Sequence, residues 1–221
     1  MVGSRSNGDF IDRQHEGWSG FEINGVADKM LPVMPTEKPN LVLILLGSND
    51  CFHAKRDNNI GYAHSAKNRM WTLVQKVYSL SPGVTIILAT LPATLDAAEA
   101  PYIQAANAGF RNLVQELQGK RQKIELAEMY TDWLKPGDYS DSTHFKLSGY
   151  AKIAAVVAEA FKRVETKGWI VPPIKTGIPD NAGCLPSPDG FRGPVRTQSG
   201  NGHDDADGMM YCDIYGRGHD E

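Results

Sequence analysis

The sequence predicts an α/β domain of three layers, a parallel sheet sandwiched between helices, and three observations carry that expectation. Residues 41–46 and 84–90 are short apolar runs rich in branched side chains, the pattern of strands buried on both faces, and residues 124–129 make a third, weaker strand. Between and after them, apolar residues recur at helical spacing. Strands alternating with helices of this length imply right-handed crossovers and parallel pairing, with both faces of the sheet covered.

Taken in order, residues 1–20 (MVGSRSNGDFIDRQHEGWSG) open on Met-Val before Gly-Ser, which reads as the end of a strand and its turn. HEGWSG then sets Gly17 and Gly20 around Trp18 and Ser19, where glycine lets the backbone approach a ligand closely or take a positive φ. Phe21, Ile23, Val26, Met30 and Leu31 suggest a short helix or irregular segment, closed by the two prolines of PTEKPN. The strand LVLILL follows and ends in GSND, so polar groups stand at its carboxyl end, where open parallel sheets keep their chemistry.

Residues 51–62 (CFHAKRDNNIGY) are polar and are expected to loop over the strand end. Tyr62, Ala66, Met70, Leu73, Val74 and Val77 predict one helix ending near Ser81-Pro82-Gly83. The second strand, a loop over residues 91–101, a helix carrying Ile103, Ala106, Phe110, Leu113, Val114 and Leu117, and a weaker third strand come next. Residues 130–143 should form a loop at the sheet's carboxyl edge. Phe145, Leu147, Tyr150, Ile153, Ala154, Val157 and Phe161 give the last helix its apolar face, and that helix and the domain end near Lys167. The expected organisation is a domain over residues 1–167, a Pro-rich linker over 168–183 and a small β or coil tail over 184–221.

A net charge of −3 supplies no basic field, so neither nucleic acid nor an anionic membrane is an expected partner. No apolar run approaches the roughly 18 residues that span a bilayer, and residues 1–30 lack the pattern of a signal peptide. Cys51, Cys184 and Cys212 have no metal-binding spacing; if oxidised, Cys184 with Cys212 is the favoured pair, since both lie in the loop-rich tail. CDIYGRGHDE at the end has Asp213 and Asp220 as oxygen ligands for a calcium-type loop. Tyr215, however, stands where such loops prefer a carboxylate or amide, and a solvated turn is the favoured reading. No cofactor and no metal is expected.

Chemistry concentrates at three places. Asp141, three residues before His144 on a loop leading into a helix, can fold back onto Nδ1, fixing the tautomer and leaving Nε2 as a general base. Asn49, at a strand end, can donate its amide to an oxyanion, and Gly17 can add its backbone N–H. Each such donor is worth about 3 to 4 kcal/mol of barrier in known cases.

These words in this order resemble the SGNH (GDSL-type) hydrolases. GSND at 47–50 looks like that family's third block, DSTH at 141–144 like its fifth, and HEGWSG at 15–20 like the second block of secreted carbohydrate esterases. The resemblance covers about residues 1–165. It implies His144 as base, Asp141 as its orienting partner, and Asn49 and Gly17 as oxyanion donors. It also implies a three-layer fold with a sheet of flavodoxin-like strand order, and an ester substrate, an acylated carbohydrate above all. The family is usually secreted, while the absence of a signal peptide leaves the localisation of the chain as written open. The tail resembles the start of an FG-GAP/VCBS repeat.

One part of the family pattern is missing: no Gly-Asp-Ser run occurs in the 221 residues. Ser48 belongs to the oxyanion block and Ser19 to the glycine loop, and with Ser4 and Ser6 they make poor substitutes. The expectation is therefore an N-terminally truncated domain that lacks its nucleophile and one central strand. It would leave residues 41–46 as an exposed apolar edge prone to aggregation. The function expected is a carbohydrate O-deacetylase of the acetylxylan-esterase kind, weak or inactive in this chain. The alternatives are a carbohydrate-binding protein gripping sugar with Trp18, Tyr62 and Trp133, and a lipase or thioesterase.

Overall fold

The computed structural model describes residues 2–7 and 14–177. Three parallel strands, β3 (Leu41–Ile44), β4 (Thr85–Ala89) and β5 (Ile124–Ala127), form the sheet in the order β3-β4-β5. A two-residue antiparallel pair, β1 (Arg5–Ser6) with β2 (Gln14–His15), precedes them. The helices are α1 (Ile23–Met30), α2 (Met34–Glu37), α3 (Ser48–Arg56), α4 (Ile60–His64), α5 (Ala66–Leu80), α6 (Ala100–Gly119) and α7 (Leu147–Thr166).

Alternation along the strands sorts the core into two layers. Val42, Ile44, Ile86, Leu88 and Ile124 face α1, α5 and α6, where Met70, Leu73, Val77, Phe110 and Leu113 are fully enclosed. Leu41, Leu43, Ile87, Ala89 and Ala127 face the other way, onto Ile153, Ala160 and Val164 of α7. On that face Glu125 stands among apolar neighbours and is held by Arg163 Nε at 2.9 Å and Lys167 Nζ at 2.5 Å. The α/β architecture with a parallel sheet is thus as the sequence predicts.

Three local expectations need correction. Residues 48–56 are helix α3, where the polar stretch after β3 suggested a loop. Gly47, at φ 121°, turns the chain out of the strand, and the inward face of α3 is carried by Asp50, Cys51 and Ala54, a small and partly polar set with little apolar signal. The single helix expected from Tyr62 to Ser81 is two, α4 and α5, parted at Ser65. At the break the Tyr62 carbonyl accepts from Ser65 Oγ at 2.8 Å and Arg69 Nη2 at 3.0 Å. Finally, β3 is one of the two outer strands of the sheet among the described residues, but of residues 41–46 only Leu45 is half-buried and the rest are at most 6% exposed, so the strand does not offer the apolar surface expected of it.

Cys184, Cys212, Asp213, Tyr215 and Asp220, with the linker and repeat-like tail from residue 178 on, lie outside the described residues. Among the described residues no helix is long and apolar enough to cross a membrane.

Candidate active site

The loop after β5 is built to hold one short turn. Tyr139 bridges Phe145, Ser140 N–H donates to His144 O at 2.8 Å, and Lys146 N–H donates to Asp138 O at 2.7 Å, so residues 140–144 close as a hairpin tip. The tip is tied to the loop after β4: Leu95 N–H and Thr94 Oγ1 both donate to Ser142 O, at 2.8 and 2.9 Å, and Tyr139 Oη donates to Ala93 O at 2.6 Å. Below it, Asp138 receives Lys152 Nζ at 2.5 Å and Lys135 N–H at 2.8 Å, and its carboxyl is held at about 2 by those partners, Lys152 first.

At the tip Asp141 spends both oxygens locally. Oδ1 accepts the backbone N–H groups of Thr143 and His144, each at 2.7 Å, and Oδ2 meets His144 Nδ1 at 2.5 Å. Burial pushes the carboxyl up, but the N–H groups of His144 and Thr143 and the His144 ring outweigh it and hold Asp141 at about 2. It is therefore ionised at any working pH. A carboxylate on Nδ1 keeps the proton of a neutral imidazole there, which makes Nε2 the basic nitrogen.

Asn49 lies in the first turn of α3, just past β3, and its Nδ2 donates to Phe21 O at 3.1 Å. The amide group has a second N–H to offer. Next to it Asp50, with no exposed surface, accepts Ile23 N–H at 2.9 Å and Arg69 Nε at 2.7 Å, which pins the starts of α1 and α3 to α5. Burial pushes the Asp50 carboxyl up, against the pull of the Ile23 N–H and the Arg69 guanidinium. Gly17 N–H donates to His15 Nδ1 at 2.9 Å. Burial, with Arg5 nearby, lowers the His15 pKa, so the ring is the neutral form that can accept. An oxyanion at Gly17 would have to displace this contact.

The four sequence-derived residues fall into two groups. Asp141 and His144 meet directly. Asn49 is joined to the turn that follows Gly17, since Phe21 N–H donates to Trp18 O at 3.2 Å and Phe21 O receives Asn49. Asn49 follows β3 and the 140–144 turn is tied to the loop after β4, the neighbouring strand, so the groups share the sheet's carboxyl edge. Sequence reasoning missed His15, Glu16 and Arg69. Glu16, 1% exposed, takes Ser4 N–H, Ser4 Oγ at 2.9 Å and Trp18 Nε1 at 3.1 Å. This engages Ser4 and encloses Trp18, whose ring also meets Arg5 and Lys29, so Trp18 is not an open sugar platform. The HEGWSG word contained both His15 and Glu16; nothing in the sequence marked Arg69 as the partner of Asp50.

The family model described as GDSL-like Lipase/Acylhydrolase matches residues 2–152. This chain belongs to that family. Comparison with curated protein sequences gives no match. Among solved structures, this chain is similar to a Clostridium thermocellum family 3 carbohydrate esterase, with 23% identity and a TM-score of 0.62 over 75% of this chain and 79% of that one. It is also similar to an acetyl esterase solved with acetate ion (21% identity, TM-score 0.58, 75% and 82% covered). A family 3 carbohydrate esterase from Talaromyces cellulolyticus matches with 21% identity, a TM-score of 0.56, and 75% and 82% covered. At these identities the likeness is one of fold, and the fold is that of the SGNH hydrolases.

Proposed function

We propose that this chain carries the proton-transfer and oxyanion half of a carbohydrate O-deacetylase, and that the serine nucleophile comes from a segment outside these 221 residues. The observation that carries the reading is the Asp141–His144 contact of 2.5 Å, with the carboxylate locked by two backbone N–H groups at the edge where parallel sheets do their chemistry. The carbohydrate and acetyl esterases among the fold neighbours support the substrate class.

In this reading a serine Oγ attacks the acetyl carbonyl, forming the Oγ–C bond while its proton passes to His144 Nε2. Negative charge collects on the carbonyl oxygen, where Asn49 Nδ2 and Gly17 N–H donate, the latter after leaving His15. Collapse breaks the bond to the sugar oxygen, which takes the proton from His144. Water then repeats the sequence on the acyl-serine and releases acetate.

The test is acetate release from acetylated xylo-oligosaccharide. The 221-residue chain should release little or none, whereas the same chain lengthened at its amino end by a strand and a Gly-Asp-Ser turn should turn over. In that longer chain His144→Ala should cost about 10³-fold or more in kcat. Enzyme-level turnover by the 221 residues, abolished by His144→Ala, would overturn the external nucleophile; turnover indifferent to His144→Ala would overturn the assignment. A lipase or thioesterase would instead prefer longer acyl chains in the same assay.

A further inference from the structure

Beside Asn49 the face of α3 continues into a cavity that the acyl-transfer reading leaves unused. Asn49 and His53 are four residues apart on one face of the helix, and Arg56 and Asp57 follow one turn on. Their partners run alongside: Asn49 donates to Phe21 O, and His53 Nδ1 meets Oε1 of the next residue, Glu22, at 2.8 Å. The second Glu22 oxygen accepts Tyr62 Oη at 2.8 Å. Glu22, His53, Arg56, Asp57, Asn59 and Tyr62 line a cavity of about 340 Å³, within the range of roughly 300 to 1,000 Å³ typical of small-ligand sites.

The lining decides what fits. Its polar groups are already engaged, both Glu22 oxygens by His53 Nδ1 and Tyr62 Oη, and Arg56 by Asp57 through Nε and Nη2 at 2.8 and 3.0 Å, so an ionic ligand would have to displace an existing partner. Carboxylate oxygens, a phenol, a guanidinium and an amide stand side by side, which suits groups that donate and accept at once, as alcohols do. The wall is also held in place. The Arg69 guanidinium lies 3.9 Å over the Tyr62 ring and binds its carbonyl, while Asn59 Oδ1 accepts Tyr62 N–H at 3.1 Å. Such prior ordering lowers the cost of binding.

We propose that this cavity is a subsite for a neutral, hydroxyl-rich sugar ring, one unit along the chain from the ring that bears the ester, so that the substrate is an oligosaccharide. The proposal rests on the deacetylase reading but is tested without turnover. The 221-residue chain, labelled with ¹⁵N, is titrated with unacetylated xylotetraose, with xylose, and with a tetramer of galacturonic acid as the charged probe. Xylotetraose should shift the amides of His53, Asn59 and Tyr62 saturably, and more tightly than xylose, while the charged probe should not. Tyr62→Phe, which removes one hydroxyl, should weaken xylotetraose about fivefold, and Glu22→Gln by more. Absence of saturable shifts, shifts centred elsewhere, preference for the charged tetramer, or an unchanged Kd in folded Tyr62→Phe would each overturn the subsite. Because acetate release is measured separately, a silent titration leaves the deacetylase reading standing. Intact binding without acetate release by the longer chain sinks only that reading.

Discussion

The two ends of the sheet treat buried polar groups differently. At the carboxyl end, Asp50 has Arg69 and the Ile23 N–H, and Asp138 has Lys152 and the Lys135 N–H. At the amino end, Glu37 in α2, Asn40 just before β3 and Tyr78 near the end of α5 each keep a buried oxygen without a hydrogen-bond partner among the described residues. Past the strands' carboxyl ends, Thr131 Oγ1 shares that condition. Burial, with Glu16 nearby, pushes the Glu37 carboxyl up to about 8. Glu37, buried and unpartnered, keeps its proton up to about 8; Asp50 and Asp138 are fixed in place by their partners, which at Asp138 hold the carboxyl at about 2. The contrast marks the carboxyl end as the end organised for chemistry.

The largest break comes from removing a partner where partnering is complete. Arg69→Ala leaves Asp50 buried without its cation and should cost about 3 to 5 kcal/mol, read from denaturant unfolding. It should also loosen the α3 start that carries Asn49. If the loss were under about 1 kcal/mol, the ion pair would not be what holds this end together.

The opposite manipulation sharpens the contrast at the amino end. Glu37 has its pKa raised on folding from an ordinary 4.5 to about 8, so the folded chain binds the proton more tightly than the unfolded one. Its stabilising effect is complete below about 4.5 and is lost as pH rises through 8. Melting temperature should fall over that window, and Glu37→Gln should flatten the fall, a gain on the order of 3 kcal/mol at pH 8. A melting profile identical in both proteins would show that Glu37 finds a partner.

A smaller effect is expected at Gly47, which sits at φ 121° with Phe110 Cζ 3.2 Å from where a Cβ would stand. Gly47→Ala should cost about 1 to 3 kcal/mol through backbone strain, measured by thermal unfolding. The smallest belongs to Asp141. Folding lowers its carboxyl from 3.8 to about 2, so its contribution is present above 3.8 and disappears as pH falls through 2. With the side chain 54% exposed, solvent screening should hold it below about 1 kcal/mol, seen as the difference between the chain and Asp141→Asn in acid unfolding at pH 5 and pH 2.

Much of this was legible in the sequence where one physical signal dominated. β3 is apolar on both faces and β4 nearly so, and α6 and α7 bury a regular stripe, so pattern alone found them. α3 was not legible, because its inward face is Asp50, Cys51 and Ala54, and the acid faces inward only because Arg69 arrives from another helix. The break at Ser65 escaped for the same reason, since Arg69 and Ser65 claim the Tyr62 carbonyl. At the site, Asp141 and His144 are three residues apart and could be paired on paper. The bond from Gly17 to His15 is equally local, yet its consequence depends on the burial that keeps His15 neutral.

By itself, then, the sequence determined the three parallel strands, the long helices α6 and α7 and the Asp141–His144 pair, since apolar periodicity and a three-residue reach are properties of neighbouring residues. Only the tertiary structure decided which buried acids find partners, where the polar cavity beside Asn49 lies, and that Asn49 faces the turn after Gly17. Those features depend on groups distant in the chain, and their energies are fixed by burial and by which partner the fold brings within hydrogen-bonding distance.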